Sequence, residues 1–188
     1  RLGKVLFTWR TSLPLPIVLA LLLTPASPSS GWGVFILGAL CVVGGEFIRL
    51  WAVRQIGAVS RTRSDRLGPL VSTGPFELVR NPLYLGNIAL WTGFALLARL
   101  VWMTPVIVGV LGSEYHAIVR WEERLLESRL GDAYRAYAER VPRWLPARTT
   151  PSEQIEGTYS WRETLFSERG TLIAIAAGYA LLWLKSAI

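Results

Sequence analysis

The chain has 188 residues, of which 52% are hydrophobic and nine are tryptophan, with a formal net charge of +7. That length suits a single domain over residues 1–188, but the apolar residues form long blocks nearly free of charge, which excludes an ordinary soluble domain. Because the chain has a single cysteine, Cys41, it cannot form an internal disulfide. Cys41 and the single histidine, His116, are far apart in the sequence, so they do not form a metal site of the usual spacing.

Five apolar blocks predict an all-α fold, a polytopic membrane bundle of about five transmembrane helices. A helix that crosses the hydrocarbon core needs ~20 mostly apolar residues. The second block reaches this length if Glu46 and Arg49 lie inside it, whereas the first and last blocks are shorter. The blocks cover residues 13–23, 31–45, 83–98, 100–113 and 170–184.

The first block follows a basic N-terminal stretch and contains two prolines. Pro14 and Pro16 would disturb a helix interior, so we expect the helix to begin near them. Basic residues followed by a short apolar stretch and small residues are also typical of a cleavable signal peptide. Both interpretations stay open for this block, which ends in the turn "PASPSSGWG".

The second and third helices are predicted over residues 32–54 and from Pro82 to near Arg99. Proline is well accepted at a first helical position. Glu46 and Arg49 are three residues apart and share a helix face. Ionisable groups at membrane depth face a partner or a wet cavity, so the pair is either a structural ion pair or a pocket wall.

The fourth helix follows after a tight turn and changes character at Glu114, where the sequence becomes charged but stays helical in composition. Ile118, Trp121 and Leu125 define an apolar stripe, so the helix is expected to continue past the membrane. Gly131 is a predicted break, and Asp132 a candidate N-cap for a short further helix.

The last block predicts an extra hydrophobic helix at about residues 170–186. This helix spans the membrane, lies at its interface or packs on a partner chain, and the third alternative would make the protein an oligomer.

The positive charges alternate between connections. Five arginines lie between residues 54 and 80 and nine between residues 120 and 169, whereas residues 24–30 carry no charge. The positive-inside rule then predicts cytoplasmic long loops, and five spans would put the C-terminus outside. The charge therefore indicates topology and attraction to lipid head groups, with no nucleic acid partner.

Two motifs carry the remaining argument: "LVSTGPFELVRNPLYLGN" and, about forty residues later, "RWEERLLESRLGDAYRAYAERVPRWLP". Together they resemble the isoprenylcysteine carboxyl methyltransferase family and its phospholipid methyltransferase relatives. The resemblance covers residues 68–146. Its matching positions are Gly74, Pro75, Phe76, Arg80, Pro82, Tyr84, Gly86, Glu122, Glu123, Leu126, Gly131, Tyr134, Tyr137, Val141, Pro142, Arg143 and Pro146.

The resemblance implies a multi-pass integral membrane methyltransferase with a cytoplasm-facing site, S-adenosyl-L-methionine as cofactor and a lipophilic or prenylated substrate in the bilayer. No metal is implied. Arg120 and Glu122 are the predicted catalytic residues. The predicted cofactor-binding residues are Gly68, Pro69, Leu70, Val71, Phe76, Arg80, Asn81, Pro82, Leu83, Tyr84 and Glu122.

The cofactor's chemistry suggests a role for each kind of group. Glu122 can accept from its ammonium group, and Arg80 either faces its carboxylate or holds the loop by a charge-assisted bond. Tyr84 and Phe76 offer aromatic faces to the adenine or the sulfonium. Arg143 is expected to help close the loops over the cofactor.

Two positions depart from the family pattern. Asn81 replaces a histidine and cannot titrate, so it cannot act as a base. Ile118 replaces an arginine that faces substrate in many members, which puts a prenylcysteine carboxylate in doubt as the acceptor. Carboxyl O-methylation is the leading hypothesis and head-group N-methylation its rival. From another class, a transporter or inactive scaffold is the alternative, although the paired repeats of transporters are not visible.

Overall fold

The computed structural model describes residues 2–9, 14–27, 31–57, 70–147 and 159–187, and within these ranges the regular structure is helical throughout. This agrees with the predicted all-α class. The helices are α1 Leu2–Trp9, α2 Leu15–Leu23, α3 Trp32–Ile56, α4 Pro75–Leu78, α5 Pro82–Leu97, α6 Met103–Leu130, α7 Asp132–Arg140 and α8 Trp161–Ala187.

Helices α3 and α5 pack through two pairs of glycines. Gly38 lies against Gly93 and Gly45 against Gly86, so the helices run antiparallel, and the two contacts are seven residues apart on each helix. A Cβ added at Gly45 would lie 2.7 Å from the Gly86 carbonyl oxygen, and one at Gly93 2.7 Å from that of Gly38. Small residues let helix backbones approach this closely in membrane proteins. The seam fixes α5, which carries much of the candidate site.

Replacing one of these glycines should destabilise the protein. Gly45→Ala places a methyl group where backbone atoms already lie, and overpacking of this kind costs roughly 1–3 kcal/mol. The matched control is Gly109→Ala on α6, where an added Cβ meets nothing within 4 Å. Thermal unfolding in one detergent compares the two variants. Equal melting temperatures for Gly45→Ala and the control would contradict the close seam.

The contacts define two ends of the molecule. At the first, which we call the site end, Thr73 before α4 donates to Gln55 at the end of α3 at 2.8 Å. At the opposite end, the Ser27 amide donates to the Arg99 carbonyl at 3.2 Å. Helix α8 reaches both, because the Tyr159 amide donates to the Arg54 carbonyl at 3.0 Å and Lys185 donates to the Thr24 carbonyl at 2.6 Å.

Two helices, α3 and α8, are long and apolar enough to cross a membrane, and α5 is a shorter apolar helix. At 1.5 Å per residue, α3 is about 37 Å long and α8 about 40 Å. The predicted count of about five spans is not confirmed. The first predicted span is a nine-residue helix, α2, about 13 Å long and too short to cross alone.

Helix α2 begins at Leu15, as expected from Pro14 and Pro16, and a further short helix, α1, precedes it. A Cβ at Gly3 would lie 2.5 Å from the Ala117 carbonyl of α6, and Phe7 packs on Trp121 with ring centroids 5.1 Å apart. Leu21 accepts a hydrogen bond from Lys185 near the opposite end. Helix α1 therefore lies at the site end, and α2 reaches the opposite end.

The predictions for α6 and α7 are largely confirmed. Helix α6 continues well past the apolar block and stops at Gly131, whose φ of +54° suits glycine. Asp132 is the first helical residue of α7 and Gly131 is its N-cap, so the proposed Asp132 cap is wrong.

Helix α8 begins at Trp161, nine residues before the predicted apolar block. Ser160 and Glu163 form a capping box: the Ser160 amide donates to the Glu163 carboxylate at 3.0 Å, and the Glu163 amide donates to Ser160 Oγ at 3.3 Å. The first turns of α8 contain charged residues, so a block of apolar residues does not mark where the helix begins. The Ser-x-x-Glu spacing of a capping box could have predicted this start.

Candidate active site

The first motif forms a short helix and a turn at the site end. Gly74 has a φ of +60° and packs on Gln55, so a side chain there would be strained and crowded. It leads into α4, and α5 then begins at the buried Pro82. Because proline has a fixed φ and no amide hydrogen, it suits a first helical turn. Arg80, Asn81 and Tyr84 are thereby held close together at the start of α5.

Glu123 on α6 accepts hydrogen bonds from two arginines of different segments. Arg80 Nη1 lies 2.9 Å from its Oε1, and Arg143 Nη2 lies 2.6 Å from its Oε2. Arg143 Nε adds bonds of 3.0 and 3.1 Å to the two oxygens. We call these three residues the Arg80–Glu123–Arg143 network. It joins the first motif, α6 and the loop after α7.

Glu122 points to a different partner, as neighbouring residues on a helix do. Tyr84 Oη donates to Glu122 Oε2 at 3.1 Å. The Tyr84 ring also packs on Tyr115, with centroids 4.7 Å apart. A carboxylate and two aromatic faces therefore meet between α5 and α6.

Residues 141–147 lie across the first motif. The Arg80 amide donates to the Pro142 carbonyl at 2.9 Å, and the Ala147 amide to the Leu78 carbonyl at 3.1 Å. Asn81 Nδ2 donates to the Arg143 carbonyl at 3.2 Å. The amide that replaces the family's histidine thus holds this loop in place.

Helix α7 fixes the same region from the other side. Tyr137 Oη donates to the Phe76 carbonyl at 2.9 Å. Burial raises the pKa of Tyr137, and burial first, then the Glu123 charge, raises that of Tyr134. The hydrogen bond to Glu123 is the main cause that raises the pKa of Arg143. Both phenols therefore stay neutral and Arg143 stays charged at physiological pH.

His116, the single histidine, also contacts this loop. Its Nδ1 accepts from Trp144 Nε1 at 3.3 Å, and the two rings stack. Because Trp144 follows Arg143, His116 is linked to Asn81 through the loop.

A cleft of about 390 Å³ opens beside the Arg80–Glu123–Arg143 network. It is strongly charged, and the exposed Arg120 lies on its wall. The lining residues are Arg80, Arg120, Glu123, Arg124, Glu127, Tyr134, Arg135, Ala138, Glu139 and Arg143. Among the predicted site residues that the structure describes, Arg80 and Arg120 line it. The Tyr84–Glu122 contact lies on another face of α6, so the cleft and that contact are distinct parts of the site.

The other predicted site residues lie nearby or outside the described part of the chain. Leu70 packs on the small core of Tyr134, Tyr137 and Val141, and Val71, Leu83 and Phe76 are half-buried. Gly68 and Pro69 fall outside the described residues.

Ile118 is 0% exposed and lies in the apolar core that also contains Leu111 and Tyr115. An arginine at this position would place a charge among apolar side chains. In this chain the position therefore serves packing and does not face the cleft.

The sequence offered Glu123, beside Glu122, as a possible proton acceptor, but it did not place Glu123 among the predicted site residues or predict its two arginine partners. The paired glutamates carried a usable signal, because adjacent helical residues differ by about 100° in direction and must face different partners. Tyr137 was a motif residue without a role. Its contact with the Phe76 carbonyl could not be read from spacing.

Comparison with known proteins agrees with the resemblance. A family model described as phospholipid methyltransferase matches residues 34–133. A cobalt-zinc-cadmium resistance protein of Cupriavidus metallidurans is 30% identical over 110 residues, which are 58% of this chain and 48% of that protein. No solved structure matches.

Two relatives are named as methyltransferases. A protein-S-isoprenylcysteine O-methyltransferase of Schizosaccharomyces pombe is 31% identical over 116 residues, 58% of this chain and 48% of the relative. A methanethiol S-methyltransferase of a Pseudomonas strain is 26% identical over 125 residues, 63% of this chain and 43% of the relative. The chain thus spans about half the length of the curated relatives it matches.

Proposed function

The chain belongs to the phospholipid methyltransferase family, and from that premise we propose that it transfers a methyl group from S-adenosylmethionine to an amphiphile in the membrane. The observation that carries the proposal is the meeting of the two motifs at Tyr84–Glu122 and Arg80–Glu123. Both contacts join the start of α5 to the extended part of α6. They bring carboxylates, a guanidinium and aromatic faces together at one end of the bundle.

The groups present fit the cofactor. The Glu122 carboxylate suits an ammonium group, and the rings of Tyr84 and Tyr115 suit an adenine or a sulfonium. The Arg80 guanidinium donates a hydrogen bond to Glu123. This favours a role for Arg80 in holding the loop over a role in binding the cofactor's carboxylate. When bound, the cofactor supplies an electrophilic methyl group on a positively charged sulfur.

The residues of the chain then act mainly by positioning. Holding two reactants in line can supply a large part of a rate enhancement. Asn81 holds the loop of residues 141–147 against the first motif. The amide of Asn81 cannot take up a proton, so proton removal does not occur at this side chain.

The acceptor that this arrangement favours is an oxygen nucleophile already ionised at neutral pH. A carboxylate needs no base, whereas an alkyl ammonium must first lose a proton. Arg120 is exposed on the cleft wall and is suited to hold an anionic group. We therefore favour carboxyl O-methylation of a lipidic substrate over head-group N-methylation.

The product of a radiolabelling reaction tests this choice. Purified protein is supplied with methyl-labelled S-adenosylmethionine and a total membrane lipid extract, and the products are treated with mild base. Methyl esters release volatile methanol, whereas methylated amines keep the label. Label that stays wholly in the lipid fraction after base would rule out the ester and favour head-group methylation. A test variant, Arg120→Gln, is expected to lower label transfer while cofactor binding is unchanged.

The proposed orientation puts the site end in the cytoplasm, and cysteine labelling tests it. Cys41 is first replaced by serine, and single cysteines are then placed at Leu145 and Trp102, which are 80% and 59% exposed. The charge distribution predicts that an impermeant maleimide reaches Leu145→Cys only from the cytoplasmic side and Trp102→Cys only from the other side. The reverse pattern would contradict this orientation.

A further inference from the structure

A buried polar cluster lies between α3, α5 and α8 and shares no residue with the candidate site. Arg49 is 6% exposed and contacts two carboxylates: Glu46 Oε2 at 3.1 Å and Glu168 Oε2 at 2.6 Å. Its Nη2 also donates to Thr171 Oγ1 at 3.0 Å, and its Nη1 donates to Asn87 Oδ1. These five residues form what we call the Arg49 cluster. Of the two alternatives for Glu46 and Arg49, the structure shows the ion pair.

The cluster touches α5 within one turn of the site. Asn87 is three residues after Tyr84, and the two lie on one side of the helix. Gly86 lies against the Arg49 side chain: a Cβ there would be 2.6 Å from Arg49 Cγ. Arg49 therefore contacts the beginning of α5 through both its aliphatic stem and its guanidinium.

The α8 partner is deeply buried and comes from outside the part of the chain that matches the family model. Glu168 is 0% exposed, while the matched residues end at 133. Helix α8 is held at the site end by Arg54, which lies 4.6 Å from the Trp161 ring centroid. It is held at the opposite end by Lys185, which donates to the Leu21 and Thr24 carbonyls.

Burial makes the position of the guanidinium depend on all its partners. A charge in a low-dielectric interior needs its counter-charge, and removing one partner of a buried pair is strongly unfavourable. If Glu168 loses its charge, Arg49 must shift toward its other contacts, one of which is Asn87 on α5. A change on α8 then reaches the helix that carries Tyr84.

We propose that Glu168, Arg49 and Asn87 are positioning residues through which α8 sets the place of the first turns of α5, and with them Tyr84 opposite Glu122. The consequence for cofactor binding rests on the function proposed above. The consequence for α5 does not depend on that function.

Hydrogen–deuterium exchange tests the structural part without any cofactor. Glu168→Gln keeps the size of the side chain and removes its charge; Arg169→Gln is the matched control, because it changes an exposed charge one residue along the same helix. Faster exchange is expected in the first two turns of α5 for Glu168→Gln and not for the control. Unchanged exchange there, or an equal rise in every helix, would overturn the proposal.

Cofactor affinity gives a second readout. For a parent that binds S-adenosylmethionine, Glu168→Gln should raise the Kd between about twofold and thirtyfold, and Glu168→Asp, which keeps the charge, should recover part of the loss. An unchanged Kd would overturn the link to the site.

If Glu168→Gln does not fold, Thr171→Val removes a single neutral hydrogen bond and should show the same local exchange on α5. A parent that binds no cofactor contradicts the proposed function and leaves the exchange test decisive for the positioning role.

Discussion

Glu123→Gln is expected to lower the free energy of unfolding by roughly 2–3 kcal/mol and to release the loop of residues 141–147. Removing one partner of a fully buried ion pair costs roughly 3–5 kcal/mol. The expected loss is smaller here because the Arg143 side chain is 33% exposed and solvent screens it. The amide also leaves Arg80 and Arg143 facing each other without a carboxylate between them. Thermal unfolding in one detergent measures the change.

The matched control for this prediction is Glu139→Gln. Glu139 lines the same cleft but is exposed. Its replacement should therefore change the free energy of unfolding by no more than about 0.5 kcal/mol. A Glu123→Gln variant as stable as the control would mean that the Arg80–Glu123–Arg143 network does not support the fold.

The second large effect is expected on cofactor binding. Glu122→Gln removes the charge assigned to the cofactor's ammonium group, and truncating one partner of a buried, hydrogen-bonded charge pair costs on the order of 2–5 kcal/mol. Tyr84→Ala removes both the aromatic face and the hydrogen bond to Glu122. Each variant should therefore bind S-adenosylmethionine at least about tenfold more weakly by calorimetric titration.

Tyr84→Phe separates the two contributions of Tyr84, because it keeps the ring and removes only the hydroxyl that donates to Glu122. A small loss of affinity in Tyr84→Phe beside a large loss in Tyr84→Ala assigns binding to the ring. Parent-like binding by both Glu122→Gln and Tyr84→Ala would contradict the cofactor site. A parent that does not bind at high micromolar cofactor would remove the enzyme proposal and favour a transporter or scaffold.

The local patterns predicted the central helices well. The apolar block ahead of Glu46 predicted α3, and Pro82 marked the start of α5, as observed. Gly131 ended α6 as expected, since only glycine adopts its backbone conformation easily. These features are set by a few neighbouring residues, and a sequence displays them directly.

The contacts that join distant segments were not predictable in the same way. Glu46 and Arg49 were recognised as an i, i+3 pair, but Glu168 lies 119 residues from Arg49. The segment around it looked like a polar loop. The seven-residue spacing of Gly38 with Gly45 and of Gly86 with Gly93 was visible, yet only the fold shows which glycine meets which. Glu123 gained its role in the same way, from two arginines brought to it by separate segments.

The Arg49 cluster also has a consequence for how the chain is made. Glu168 is synthesised 119 residues after Arg49, an interval on the order of ten seconds at roughly 5–20 residues per second. During that time Glu168 is not yet available to Arg49, and Glu46 is the acid already present on the same helix. The pair within α3 thus gives Arg49 a counter-charge as soon as that helix forms, and Asn87 and then Glu168 join it as α5 and α8 are made.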